Sequence, residues 1–298
     1  MNIVIFGAGA IGSLIGAKLS KKNFVILYGR KNHIDEINRN GLEIIGKTIF
    51  FNKLYATDNI KEIKINPDIV ILSVKSYDTV VALKQIEKII DKNTILLTIQ
   101  NGLDNIEKIK KMINPNQIIA GITTEGSLFI QPGKIKHTGK GITKLGELNG
   151  KQSIRIKKIV ELFNNAGIYT ISSNDIIEEI WIKAIINSSI NPLTAIFRCK
   201  NGYLIKNPVL FEIVRLICIE SSNIAIKKGF NINPSDIFKK TIEVIRNTNE
   251  NYSSMYQSYI NNKITEINSI NGKFIYFGKE INVETSLNEI LLKLIDPI

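Results

Sequence analysis

The sequence predicts an α/β fold in two parts, a doubly wound sheet followed by an all-helical C-terminal domain. Three observations predict it. Apolar strand patterns alternate with helical patterns through the first half of the chain, the mark of βαβ units and a parallel sheet. A Gly-x-Gly-x-x-Gly run separates the first strand from the first helix. From about Asp175 onward the patterns are helical, with no clear strand. The composition changes near residue 170, so the domains are expected over 1–170 and 171–298.

The first strand is NIVIF at 2–6, and GAGAIG leads from it into the helix SLIGAKLSKK. Gly7 permits the tight turn, Gly9 lets the backbone approach a pyrophosphate, and Gly12 lets the helix pack against the strand. The free N–H groups and positive dipole of the helix start complete an anion site. The loop Gly7-Ala8-Gly9-Ala10-Ile11-Gly12 is therefore expected to hold a dinucleotide, and the first domain to be of the Rossmann type. The second strand, FVILY at 24–28, ends in Gly29, Arg30 and Lys31. An NAD site places an acidic residue here to hold the ribose 2′-hydroxyl. Arg30 instead suits a 2′-phosphate, which it can grip bidentately, so the expected cofactor is NADPH/NADP+. A solvated basic loop is the alternative. Asp35 and Glu36 come too late and read as the start of a helix.

Residues 41–57 alternate loosely, as a hairpin or short strands. Buried strands follow at 68–74 (DIVILSV) and 94–99 (TILLTI), with helices at 79–90 and 105–113. Lys75 and Asn101 fall at the carboxyl ends of these strands, the edge at which open α/β sheets meet ligands. Ordinary loop polarity explains them equally well, since Asn-Gly is also a turn signal. A strand is expected at 117–122, then strands and turns over 123–148, read as a hairpin closing the sheet edge. His137 in that stretch reads as structural. A helix at 153–165 and a last strand at 168–172 complete the domain. Helices are expected at 175–191, 208–228, 234–247 and 283–294, with another across 256–271.

Composition narrows the function. A net charge of +12 invites a nucleic-acid reading, but the lysines are spread along the chain rather than gathered into a stripe, so no specific nucleic acid is expected. Two cysteines and two histidines show no metal-ligand spacing, and no metal is expected. No apolar run reaches membrane-spanning length, and the chain opens directly on a strand pattern, so no membrane association and a cytoplasmic location are expected. With so few histidines, a general acid falls to Lys, Tyr, Asp or Glu.

The segment 180–191, IWIKAIINSSIN, is too apolar for a surface helix, yet Lys183, Asn187 and Asn191 recur at i, i+4 and i+8. These positions share one helix face. Such groups in an apolar helix are costly unless partnered, which suits a face turned to a polar ligand. A wet stripe widened by Ser188 and Ser189 fits the same spacing. Later in the chain, Ser253 or Ser254 reads as a helix N-cap, and Glu266, from the residues alone, as a surface carboxylate rather than a site residue.

These stretches together resemble the ketopantoate reductase (2-dehydropantoate 2-reductase) family. The resemblance rests on GAGAIG, LSVKSYDT at 72–79, IQNGLDN at 99–105, PGKIKHTG at 132–139, IWIKAIINSSINPLTAIF at 180–197, SSM at 253–255 and TEINSINGKFIYFGKE at 265–280. It implies reduction of ketopantoate by NADPH, in pantothenate and coenzyme A biosynthesis, with Lys183 as general acid. Asn187, Asn191, Asn201 and Ser254 would bind substrate, and Asn101 would sit between nicotinamide and substrate. Lys75, Ser127 and Glu266 would line the cofactor side, although Ser127 stands where the family often has Ala. A homodimer is common in the family. A reductase of another 2-oxo acid, or a non-catalytic NADP-binding sensor, are the alternatives. Burial in an apolar helix should lower the Lys183 pKa, and Glu266 should oppose that shift.

Overall fold

The computed structural model describes residues 1–296. Two compact units divide the chain: Met1–Gln100 with Asn105–Ile177, and Asn101–Asp104 with Glu178 onward.

In the first unit, β1 (Asn2–Phe6) turns through the glycine loop into α1 (Ala10–Leu19), and β2 (Phe24–Tyr28) runs into α2 (Lys31–Asn40). Three short strands follow, β3 (Leu42–Gly46), β4 (Phe50–Asn52) and β5 (Tyr55–Thr57). Next come β6 (Ile69–Leu72), α3 (Thr79–Ile86), β7 (Ile95–Thr98), α4 (Asn105–Lys110) and β8 (Ile118–Thr123). The unit closes with β9 (Gly126–Gln131), β10 (Lys134–Gly139), β11 (Thr143–Glu147), α5 (Ile154–Asn165) and β12 (Thr170–Ser172). Eight strands form the main sheet in the order β12-β11-β8-β7-β6-β1-β2-β5. Its central neighbours are parallel, and only the β8–β11 pair is antiparallel. Both faces are covered, which is why these strands read as continuous apolar runs. Ile3, Ile5, Ile69 and Ile71 enter one core layer with Leu14, Ile15 and Phe163, whereas Val4, Phe6, Val70 and Leu72 enter the other with Leu83 and Ile109.

The stretch 123–148 departs from the expected hairpin at the sheet edge. The β9–β10 hairpin belongs to a second sheet of order β4-β3-β10-β9, while β11 lies beside β8 in the main sheet. A buried chain of contacts ties the second sheet to α1. His137 Nε2 lies 2.7 Å from Glu125 Oε2, and Lys18 Nζ lies 3.4 Å from Glu125 Oε1. The two compact units part between Ile177 and Glu178, and β12 pairs in parallel with β11 and extends the main sheet.

The second unit is helical: α6 (Ile176–Ile196), which begins in the first unit, then α7 (Tyr203–Lys206), α8 (Pro208–Lys227), α9 (Pro234–Asn247), α10 (Ser254–Tyr259), α11 (Asn271–Glu280) and α12 (Ser286–Ile295). Asn207-Pro208 and Asn233-Pro234 start α8 and α9 in the same way. Each asparagine side chain accepts from two backbone N–H groups of the first turn, and the proline occupies a position that has no N–H to lose. The single helix expected across 256–271 is instead α10, a turn, a 3-10 turn at Ile267–Ser269 and the start of α11. Asn262, in the left-handed region at φ 50°, ends the first piece. Trp181 on α6 packs against Phe230, Phe274 and Phe277 at ring distances of 4.8, 5.9 and 5.1 Å.

Helix α6 runs through Pro192. Proline removes the hydrogen bond to the carbonyl four residues earlier, which is that of Ser188. Asn271 Nδ2 takes that place, donating to the Ser188 carbonyl at 3.1 Å and to Asn288 Oδ1 at 2.9 Å. No helix among the described residues is long and apolar enough to cross a membrane.

Candidate active site

The glycine loop is built as an anion cradle. Gly7 has φ 109°, and a Cβ there would lie 2.6 Å from Val74 N. A Cβ on Gly12 would lie 2.2 Å from the Gly7 carbonyl, whereas one on Gly9 would meet nothing within 4 Å. Gly7 and Gly12 are thus required by the protein itself, and Gly9 faces open space that a ligand can enter. The loop carbonyls are turned inward. Gly7 O accepts from Gly9 N and Ser73 Oγ, Ala8 O from Ser13 Oγ, Gly9 O from Ser13 N, and Ala10 O from Ser127 Oγ. Helix α1 starts at Gly9 without a side-chain cap. An anion site needs N–H groups outward and carbonyls away. The carbonyls here are held away. The N–H groups of Gly7, Ala8 and Gly9 are spent on the Tyr28 and Gly7 carbonyls, and the donors are those of the uncapped first turn of α1. The residues present fit the pyrophosphate of a dinucleotide.

Arg30 follows β2 and precedes α2, with its side chain 79% exposed. Its guanidinium lies 3.6 Å from Asp78, whose backbone N–H donates to the Lys75 carbonyl. Arg30 and the turn that starts at Lys75 are therefore neighbours at the carboxyl edge of the sheet. Gln100 helps set that edge, donating to the Val74 carbonyl at 2.9 Å and to Thr79 Oγ1 at 2.8 Å.

In the second unit, Lys183, Asn187 and Asn191 project from one face of α6. Burial pushes the Lys183 pKa down to about 8, and the Glu266 carboxylate pulls it the other way. Glu266 is itself buried and begins the 3-10 turn before α11. The Asn101 segment joins this region. Leu103 N donates to the Ser269 carbonyl at 3.0 Å, and Ser269 N donates to the Glu266 carbonyl at 3.1 Å. Gly102, at φ 101°, is held so close to Ser269 that a Cβ would lie 2.9 Å from it.

Asn191 and Asn201 are buried, and the loop before α10 joins their surroundings. Ser253 is the N-cap of α10, and its hydroxyl accepts from Thr194 Oγ1 at 2.8 Å. Ser254 is left exposed beside it. Asn201 Nδ2 donates to Thr248 Oγ1 at 2.8 Å, and its backbone N–H donates to the Asn251 carbonyl. The Asn201 Oδ1 is buried with no hydrogen-bond partner in the protein, an acceptor available to a ligand group.

The structure thus gathers Lys183, Glu266 and the Asn101 segment, and separately the glycine loop, Ser127, Arg30 and Lys75. Sequence reasoning missed the supporting groups Ser13, Ser73, Gln100 and Thr194. Only Gln100, beside Asn101, had a signal that could have marked it.

Comparison with known proteins agrees in extent and kind. A family model described as ketopantoate reductase PanE/ApbA matches residues 3–150, and the model of its C-terminal part matches residues 175–298. A 2-dehydropantoate 2-reductase of Pyrococcus abyssi is 40% identical, with 99% of this chain and 97% of that one aligned. Among solved structures, a D-mandelate dehydrogenase with NADH and anilino(oxo)acetate superposes with a TM-score of 0.94 at 27% identity, over 99% of this chain and 97% of that one. The 2-dehydropantoate 2-reductase of Geobacter metallireducens gives 0.93 at 25% identity, over 99% of each chain.

Proposed function

The chain belongs to the ketopantoate reductase PanE/ApbA family, and from that premise we propose that it reduces 2-dehydropantoate to pantoate with NADPH. The observation that carries this reading is a lysine with its pKa pushed down to about 8 beside a buried carboxylate, in a chain that also carries an open glycine cradle. We assign residues 1–170 to cofactor binding and 171–298 to substrate binding and catalysis.

The first-turn N–H groups of α1 would hold the pyrophosphate, and Arg30 with Lys75 would hold the 2′-phosphate. Bound NADPH supplies the hydride that adds to C2 of the oxo acid. Negative charge then develops on the carbonyl oxygen. The Lys183 ammonium stabilises that charge more in the transition state than in the ground state and donates its proton to the oxygen, leaving a hydroxyl. Its depressed pKa suits proton transfer near neutral pH. Glu266 keeps Lys183 protonated and accepts a hydrogen bond from a hydroxyl of the substrate or the cofactor. Asn101, Asn187, Asn191, Asn201 and Ser254 orient the polar groups of the substrate, with Asn101 beside the nicotinamide and Ser127 beneath the cofactor loop.

A second reading, reduction of a different 2-oxo acid, is favoured by the likeness to D-mandelate dehydrogenase. Steady-state NADPH oxidation followed at 340 nm separates the two, comparing ketopantoate with pyruvate, 2-oxoisovalerate and benzoylformate. Turnover fastest with ketopantoate is expected, and Lys183→Ala should lower kcat about 10²–10⁴-fold with little change in NADPH binding. Preference for another oxo acid replaces the substrate, and near-normal turnover of the alanine variant removes Lys183 as the acid.

A further inference from the structure

His33 is buried in α2, 4% exposed, and stands outside the chemistry described above. Its Nδ1 receives the backbone N–H of Gly133, in the β9–β10 turn, at 2.9 Å. That contact fixes the tautomer, because a ring nitrogen that accepts cannot also carry the proton. The proton is on Nε2, which lies 3.1 Å from Ser13 Oγ. Ser13 then accepts from the ring, and its own hydroxyl proton is directed to the Ala8 carbonyl at 3.3 Å. One backbone N–H thus sets the direction of a chain that runs Gly133, His33, Ser13, Ala8. The His33 and Ser13 side chains that link it are buried, so an interruption leaves an unsatisfied polar group. The His33 backbone N–H also donates to the Arg30 carbonyl at 3.0 Å, which places the ring one turn from the residue assigned to the 2′-phosphate.

We propose that His33 is a positioning residue for the dinucleotide, holding the Ala8 carbonyl inward through Ser13 so that the glycine loop meets the pyrophosphate already formed. The proposal rests on the NADPH reading above. Of the loop carbonyls, that of Ala8 has Ser13 Oγ as its donor. If it were released, the Ala8–Gly9 peptide, whose N–H donates to the Gly7 carbonyl, could turn its carbonyl dipole toward the phosphates. The neutral ring matters here, since a charged imidazolium would put a second donor against the Gly133 N–H. Burial holds the His33 pKa down at about 4, so the acceptor persists throughout the neutral range.

The test is NADPH binding to the full-length protein, by quenching or enhancement of nicotinamide fluorescence, for Ser13→Ala, His33→Leu, His33→Gln and the Ser13→Ala/His33→Leu double variant. Losing one hydrogen bond in the relay should raise the NADPH Kd about fivefold. Ser13→Ala and His33→Leu should show that loss, with KM for NADPH rising and kcat carrying the smaller change. The double variant should be no weaker than the worse single one, because both break one chain. His33→Gln, whose amide has one acceptor and one donor, should recover most of the affinity. Unchanged affinity in Ser13→Ala, or losses that multiply in the double variant, overturns the proposal. Ser13→Ala removes one oxygen atom and decides the matter if His33→Leu fails to fold. If the wild-type protein binds NADH in place of NADPH, the same comparison is read with NADH and only the cofactor assignment changes. Wild-type protein that binds neither overturns both.

Discussion

Lys183 shows how much the local sequence around one residue can disclose. Its spacing with Asn187 and Asn191 puts the three on one face, and the apolar residues around them make burial of the ammonium expected. Both influences on its pKa act in the expected directions, burial downward and Glu266 upward. What spacing could not give was their balance, because Glu266 lies 83 positions away in sequence (266 − 183) and its approach depends on how α6 and the 3-10 turn pack. The sign of the pH dependence follows. A general acid must be protonated, so kcat/KM should be level below the Lys183 pKa and fall as pH rises through about 8. Glu266→Gln removes the charge that favours the ammonium and should move this alkaline limb to lower pH. A pH series of kcat/KM for both proteins checks it, and an unmoved limb would dissociate Glu266 from the titration. Ser253 and Ser254 illustrate the opposite limit. Either could cap α10 on sequence grounds, and only the structure shows that the cap and the bond to Thr194 both belong to Ser253.

At the level of the element, the glycine loop was legible because its requirements are local. The tight turn at Gly7 and the close approach at Gly12 are consequences of a strand running directly into a helix. Its supports were not legible, since Ser127 reaches Ala10 across 117 positions of sequence and Ser73 reaches Gly7 across 66. The β2–α2 junction belongs at this scale too. Arg30 is exposed, and its ion pair with Asp78, being solvated, is worth at most about 1 kcal/mol. A 2′-phosphate can therefore recruit the guanidinium at little cost. Arg30→Ala should weaken NADPH by about 10–100-fold, the loss expected of a charge-assisted bidentate contact. NADH should be almost unaffected, and parallel titrations of the two cofactors provide the check. Equal losses would place the 2′-phosphate elsewhere. The second sheet escaped the sequence reading because strands of three to six residues look alike whether they extend one sheet or found another.

For the whole molecule, the order of strands and helices was readable from alternation alone, and the change to helices after residue 175 marked the second unit. The continuation of Asn101–Asp104 with that unit was not, because it depends on a contact with Ser269 far along the chain. The net charge of +12 also acts at this scale. Spread over the surface, it attracts anions without specifying one, and both proposed ligands are anions. Raising salt from about 0.01 M to 0.15 M shortens the Debye length from about 30 to 8 Å. KM for NADPH should therefore rise severalfold over that range while kcat stays nearly level. Stopped-flow association rates at several ionic strengths test it, and salt-independent association would show that the distributed charge takes no part in capture.

The pairing of Pro192 with Asn271 constrains how this protein can change over generations. While residue 192 is proline, loss of the Asn271 amide strands a buried carbonyl on the helix that bears Lys183, so that substitution is costly. Once any other residue stands at 192, the carbonyl regains a backbone donor, and position 271 is held by its bond to Asn288 Oδ1 alone. The two sites can be exchanged in one order and not readily in the other. An ancestor retaining the asparagine without the proline is therefore the more accessible intermediate than one with the proline alone.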